Sequence, residues 1–128
     1  MEQIKTEKEL NTMSPLVWAY VGDSVYELYV RTHLIKRTKL KPHQLHIETI
    51  KFVKASAQAD TIEKIKGFLT EDEIDIVRRA RNCESHHIPK NADVIDYKYA
   101  TGLEGLIGYL YLSGKTERMD EILKKCIL

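Results

Sequence analysis

Residues that staple or interrupt a fold are scarce in this chain. Only two cysteines and three prolines occur in 128 residues. The cysteines, Cys83 and Cys126, stand far apart and form no CxxC, which excludes a disulfide framework and leaves reduced thiols as the default. Cys83 has His86 and His87 close by in sequence, but no second ligand pair lies at a usable spacing, so no zinc site is expected. Long apolar runs are absent too. None approaches the ~20 residues that a membrane span requires, and the opening stretch MEQIKTEKEL has no signal-peptide hydrophobic region. A cytoplasmic protein with no membrane partner is expected. There is no Pro- or Gly-rich tract and no low-complexity segment, which argues against disorder.

A surplus of one charge is also missing, since the formal net charge is +1. The charge is unevenly spread, however. Arg31, Lys36, Arg37, Lys39, Lys41, Lys51 and Lys54 form a basic block interrupted by one acid, Glu48, and a second block holds Arg78, Arg79, Arg81 and Lys90. One such run is usually a solvated face; two on a nearly neutral chain point to an anionic partner such as nucleic acid. The length suits one domain, residues 1–128, with a single core.

What is present is helical periodicity almost throughout, so the expected fold class is all-α. Ser14 followed by Pro15 reads as an N-cap with proline in the first turn and opens a helix over 15–37. Pro42 begins a second, running to Lys66 with a bend near Ala55 and closed by Gly67. Thr70 and Glu73 have capping-box spacing and start a third, to about Arg81. The segment NCESHHIPKN reads as a loop because Pro89 cannot continue a helix. Asn91 is expected to cap a long helix ending at Gly114, and Thr116 to cap a last one.

Two acids stand out on otherwise apolar helices. On the first helix, at about 100° per residue, Asp23 shares a polar stripe with Ser24, Glu27 and Arg31, while Val17, Trp18, Val21, Val25, Leu28 and Tyr29 occupy the rest. The stripe either faces water, with Glu27 and Arg31 as an i,i+4 pair, or it serves a site. Gly22 costs ~1 kcal/mol relative to alanine within a helix, which suggests that something approaches its backbone closely. Glu104 is the second acid, alone among apolar and small residues between Tyr99 and Ser113. Gly102, Gly105 and Gly108 suit close helix packing, and Tyr97, Ala100, Thr101 and Gly108 on the Glu104 face leave room for a ligand. A buried unpaired carboxylate tends to protonate. Either each acid meets an Arg or Lys, or the two converge on one divalent cation, for which oxygen-only ligation suits Mg²⁺ or Mn²⁺.

The stretch YVGDSV resembles the signature of the ribonuclease III family, E-x-x-E-F-L-G-D-[SA]-V, through Tyr20, Val21, Gly22, Asp23, Ser24 and Val25. A second segment, Ala100 to Gly108, is similar to the family's A-D-x-x-E-A-L-I-G-A and places Glu104 at its acid. Both occur in the right order, about 80 residues apart. Over residues 14–112 the chain looks closest to the short form of the family, mini-ribonuclease III, which has the catalytic domain without a double-stranded-RNA-binding domain; no residues after Leu128 remain to supply one. The chain departs from the longer enzymes at Leu16, Ala19 and Thr101, where they carry acids.

The resemblance implies the all-α catalytic domain of that family as a homodimer, hydrolysing phosphodiesters of double-stranded RNA with Mg²⁺, or Mn²⁺ as a substitute. Asp23 and Glu104 carry over as catalytic metal ligands, either for one cation completed by water and phosphate or with a second cation arriving with the RNA. Arg78, Arg79, Arg81, Lys90 and Lys98, which flank the loop before the Glu104 helix, are expected to contact phosphate, with Asn82 and Asn91 adding hydrogen bonds. Trp18, Tyr26 and Tyr29 are offered either to the core or to a second subunit. Similarity to the short form further implies maturation of the large-subunit (23S) ribosomal RNA precursor, with a ribosomal protein as a possible helper. The alternative is a non-catalytic double-stranded-RNA-binding module of the same fold, indifferent to Mg²⁺ and to substitution at Asp23.

Overall fold

The computed structural model describes residues 2–84, 88–91 and 93–127, and these form helices and connecting turns without a strand. In chain order they are α1 (Glu7–Asn11), α2 (Pro15–Arg37), α3 (Pro42–Val53), α4 (Ala55–Ile65), α5 (Glu71–Asn82), α6 (Val94–Leu112) and α7 (Thr116–Ile127), with a 3₁₀ turn at Lys66–Phe68. The all-α expectation holds.

Local chemistry explains most boundaries. The Ser14 side chain accepts a hydrogen bond from the Leu16 N–H, and Thr70 and Glu73 form the reciprocal capping box. Thr6 and Glu9 form another, which opens the short α1 that sequence reading passed over. Gly114, at φ 79°, closes α6, and the Lys115 N–H reaches back to the Leu110 carbonyl at 2.9 Å. Three boundaries correct the expectations. The bend near Ala55 is a full break, because Lys54 is extended (φ −62°, ψ 151°) and separates α3 from α4. Asp93, not Asn91, caps α6 by accepting from the Asp96 N–H. Thr116 lies inside α7 as its first residue instead of before it.

Helix α6 is the axis of the molecule and packs against α2 most extensively, then α5 and α4. Its residues from Ala100 to Leu112 are buried except Glu104 and Tyr111, which are half-buried. The α2–α6 contact is backbone on backbone. A Cβ added to Gly22 would lie 1.7 Å from the Glu104 carbonyl oxygen, and one added to Gly108 would lie 1.8 Å from the Trp18 carbonyl oxygen. Each helix therefore seats the other's carbonyl at a glycine. On the next face of α6 a Cβ at Gly105 would lie 2.4 Å from the Ala80 Cβ of α5. Gly108, one of the small residues expected to leave room for a ligand, is thus filled by α2.

Trp18 and Tyr26 belong to the core, at 0% and 1% exposure, which decides between the two uses considered for them. The Trp18 Nε1–H donates to the Leu10 carbonyl at 3.1 Å, and its ring meets Tyr109 edge-on at 4.9 Å. The outer face of α2 carries different apolar residues: Val17, Tyr20, Leu28 and Ile35 are exposed. So α2 is less enclosed than its wheel suggested. Among the described residues no helix is long and apolar enough to cross a membrane.

Candidate functional site

The Gly22–Glu104 backbone contact is what brings the two acids together. Asp23 is exposed on α2, and the Glu104 carboxyl lies beside the Asp23 carboxyl from the neighbouring turn of α6. Burial, and then the Asp23 carboxylate, push the Glu104 carboxyl up to about 9, so that it holds a proton at neutral pH; Gln58 opposes that shift. Gln58 sits on α4 and is 2% exposed, and its Nε2 has no hydrogen-bond partner. Sequence reading did not single it out. Behind Glu104, burial pushes the Tyr26 hydroxyl well above its ordinary range and the Cys126 thiol up to about 12, which makes both neutral bystanders.

Neither Asp23 nor Glu104 forms an ion pair among the described residues, so the arginine or lysine partners considered for them are not found there. The other part of the polar stripe does behave as a solvated pair, with Arg31 2.8 Å from Glu27 at i,i+4. Ala19 and Thr101, which replace acids of the longer enzymes, are 8% exposed each, and Thr101 Oγ1 donates to the Tyr97 carbonyl at 2.9 Å. No group of three or more His, Cys, Asp or Glu side chains converges among the described residues. Two adjoining carboxyls, one forced to keep its proton, form a donor set that a divalent cation would relieve. Such a pair fits Mg²⁺, which commonly takes one or two carboxylates and completes its shell with water and substrate phosphate.

The expected phosphate contacts are scattered more widely. Arg78 is exposed and pairs with Asp75. Arg79 points the other way around α5: its guanidinium lies 5.0 Å from the Trp18 ring and donates to Asn11 Oδ1 at 3.1 Å. The Arg81 guanidinium lies 5.3 Å from the Tyr99 ring, and its Nε–H donates to Asn82 Oδ1 at 3.1 Å. Arg81 and Lys98 line one narrow cleft together with Tyr97 and Thr101. Lys90 and Asn91 are exposed in the turn before α6. His86 and His87, weighed with Cys83 for zinc, lie outside the described residues. A cleft of about 470 Å³ lies elsewhere, between α1, α5 and α7, and its lining mixes Asp72 and Glu73 with Arg79, Lys115 and Arg118. Of the carboxyl pair, Asp23 is exposed on α2 and Glu104 is half-buried behind it.

The family model described as the ribonuclease III domain matches residues 16–115, a span that contains both acids. The chain belongs to the ribonuclease III domain family. Within it the chain is 47% identical to the Mini-ribonuclease 3 of Thermoanaerobacter sp. (strain X514), over 95% of this chain and 86% of that one. It is 45% identical to the Mini-ribonuclease 3 of Brevibacillus brevis, over 98% and 93%. The crystal structure of protein FN1578 from Fusobacterium nucleatum superposes with a TM-score of 0.80 at 30% identity, covering 92% of this chain and 94% of that one. The resemblance to the short ribonuclease III form therefore stands along nearly the whole chain. Enzymes of this family are endoribonucleases and generally depend on divalent metal ions.

Proposed function

We propose that this protein is a metal-dependent endoribonuclease that hydrolyses double-stranded RNA through Asp23 and Glu104. The observation that carries this reading is the pair itself, held by a backbone contact at Gly22 and without ion-pair partners among the described residues. Mg²⁺, or Mn²⁺ in its place, would be held by the Asp23 and Glu104 carboxylates. When bound, the cation supplies Lewis acidity that offsets charge developing on the scissile phosphate and makes a water nucleophile available near neutral pH. Binding requires Glu104 to release its proton, so Asp23 and Glu104 together act as the anionic seat. Hydrolysis leaves 5′ phosphate and 3′ hydroxyl ends.

Lys90 and Lys98 are exposed and offered to phosphates, Arg78 is exposed beside its Asp75 partner, and Asn82 and Asn91 are exposed as further hydrogen-bonding groups. Arg79 and Arg81 are half-buried against aromatic rings and contribute less. A-form RNA offers shape, phosphates and 2′ hydroxyls, not base edges, so sequence selectivity is modest. A second copy of the chain covers the outer face of α2, where Val17, Tyr20, Leu28 and Ile35 form an exposed apolar row beside Asp23. The homodimer then presents two seats to the two RNA strands. The substrate we favour is the 23S ribosomal RNA precursor in the cytoplasm, with a ribosomal protein as helper. Likeness to proteins named Mini-ribonuclease 3 supports the ribonuclease activity on which that choice rests.

The test is cleavage of a long end-labelled RNA duplex with Mg²⁺ by wild type, Asp23→Asn and Glu104→Gln. Cutting by wild type, with both variants binding but inert, is the expected result. A wild type that binds duplex without cutting in Mg²⁺ or Mn²⁺ is instead a non-catalytic binding module.

A further inference from the structure

Helix α4 turns an apolar stripe toward the core, with Ile62 and Ile65 buried, and Gln58 occupies the position one turn before Ile62 on that same stripe. A glutamine there is enclosed like its neighbours, yet its Nε2 has no hydrogen-bond partner. Buried amides of folded proteins are almost always satisfied, and an exception at a functional site calls for a reason. A leucine or methionine would fill the same space without leaving a polar atom unmatched. What distinguishes the position is its neighbour: α4 packs on α6, and the Gln58 side chain lies alongside the carboxyl of Glu104.

We propose that Gln58 is a positioning residue for Glu104, its amide nitrogen donating to one carboxylate oxygen so that the other is turned toward Asp23 and the cation they share. This rests on the endoribonuclease reading above. The Glu104 carboxyl beside the Gln58 amide offers the acceptor that its nitrogen lacks. An outer group that orients a metal-ligating carboxylate in this way changes metal affinity when it is removed, by roughly 10- to 100-fold. Because the amide nitrogen is unmatched, its removal should not weaken the fold.

The experiment compares wild type with Gln58→Met, which keeps the volume and deletes the amide. Single-turnover cleavage of an end-labelled duplex is titrated with Mg²⁺, Mn²⁺ binding in the absence of RNA is followed by electron paramagnetic resonance, and melting temperature is measured in EDTA. The expected result is a half-saturating Mg²⁺ concentration raised roughly tenfold or more, with Mn²⁺ binding weakened in parallel. The cleavage rate should recover at saturating Mg²⁺, and the melting temperature should be unchanged or higher. An unaltered Mg²⁺ titration in a folded Gln58→Met protein overturns the positioning role while leaving the endoribonuclease reading intact. A wild type that cuts no duplex overturns both. Should Gln58→Met not fold, a structural role is indicated, and Gln58→Asn decides: it keeps an amide but withdraws it by one methylene. A tenfold rise in half-saturating Mg²⁺ in that variant upholds the proposal, and an unchanged one overturns it.

Discussion

At the scale of single residues, Glu104 is where pH should be felt. Its folded carboxyl is pushed up to about 9, against an ordinary value of 4.5, chiefly by burial. Between those values the folded chain keeps a proton that the unfolded chain has lost, so this group's contribution makes stability fall as pH rises. In EDTA the melting temperature of wild type should therefore decline from pH 5.5 to pH 8.5 relative to Glu104→Gln, whose neutral amide removes the titration. A difference that is flat across this range would contradict the burial of Glu104. Excess Mg²⁺ at pH 8 should raise the wild-type melting temperature and leave the variant's unmoved. Sequence reading reached Asp23 and Glu104 because a lone acid on an apolar helix is conspicuous. Gln58 was not legible in the same way: a neutral polar residue on α4 does not reveal which helix it faces, and only the packing of α4 on α6 supplies that. Likewise Arg78, Arg79 and Arg81 are adjacent in sequence, but successive helix positions point apart. Two of the three turned to aromatic rings.

At the scale of elements, caps were readable and breaks were not. Ser14, Thr70 and Glu73 act on backbone within their own turn, so their meaning is local. The break at Lys54 has no glycine or proline to announce it, because it is imposed by how α3 and α4 pack separately on their neighbours. Asp93 and Asn91 are both competent caps two residues apart, and tertiary placement of α6 chose between them. The glycines make the sharpest prediction at this scale. Gly108→Ala would drive a methyl group into the Trp18 carbonyl, and should cost about 3 kcal/mol or more, a fall in melting temperature of roughly 10 °C or more. Gly67→Ala meets nothing within 4 Å and should be neutral or stabilising by about 0.5 kcal/mol. Calorimetry of the two variants would test the contrast; equal melting points would mean that α2 and α6 are not in backbone contact.

Arg118 supplies a second link between elements. Its Nε and Nη2 each donate to the Glu73 carboxylate at 2.8 Å, and Nη2 also reaches the Phe68 carbonyl at 2.9 Å, tying α7 to α5 and to the 3₁₀ turn. The Glu73 side chain is nearly buried, and the guanidinium holds its carboxyl below the ordinary range. Arg118→Met, which strands that carboxylate, should destabilise by about 3 kcal/mol in a urea titration, whereas the double variant with Glu73→Met should recover much of the loss. Stability unchanged in the single variant would show the bridge to be idle.

At the scale of the whole molecule, periodicity distinguishes buried from polar faces but not a core from a subunit contact. Trp18 and Tyr26 on one side of α2 are core, while Val17, Tyr20, Leu28 and Ile35 on the other remain uncovered. Leu28 is 67% exposed in the single chain, so Leu28→Glu should leave the fold of one subunit intact. Sedimentation should nonetheless show the variant at half the wild-type mass. Wild type sedimenting as a single chain at tens of micromolar would sink the homodimer. With a net charge of only +1, the proposed affinity for duplex RNA would rest on a few local phosphate contacts, and it should fall steeply between 50 and 200 mM salt.

The paired seats of carbonyl on glycine between α2 and α6 carry one more consequence, which concerns heat. Gly22 and Gly108 fix the spacing of the two carboxyl-bearing turns through main-chain atoms, so the backbones that carry Asp23 and Glu104 cannot part while the helices stay docked. Many enzymes lose their sites by local fraying well below the temperature at which they unfold. Here the backbone contact should close that route, and amides around Gly22 and Gly108 should exchange with deuterium only through global opening. Activity should accordingly persist up to the unfolding transition and vanish with it, the two curves lying on top of one another.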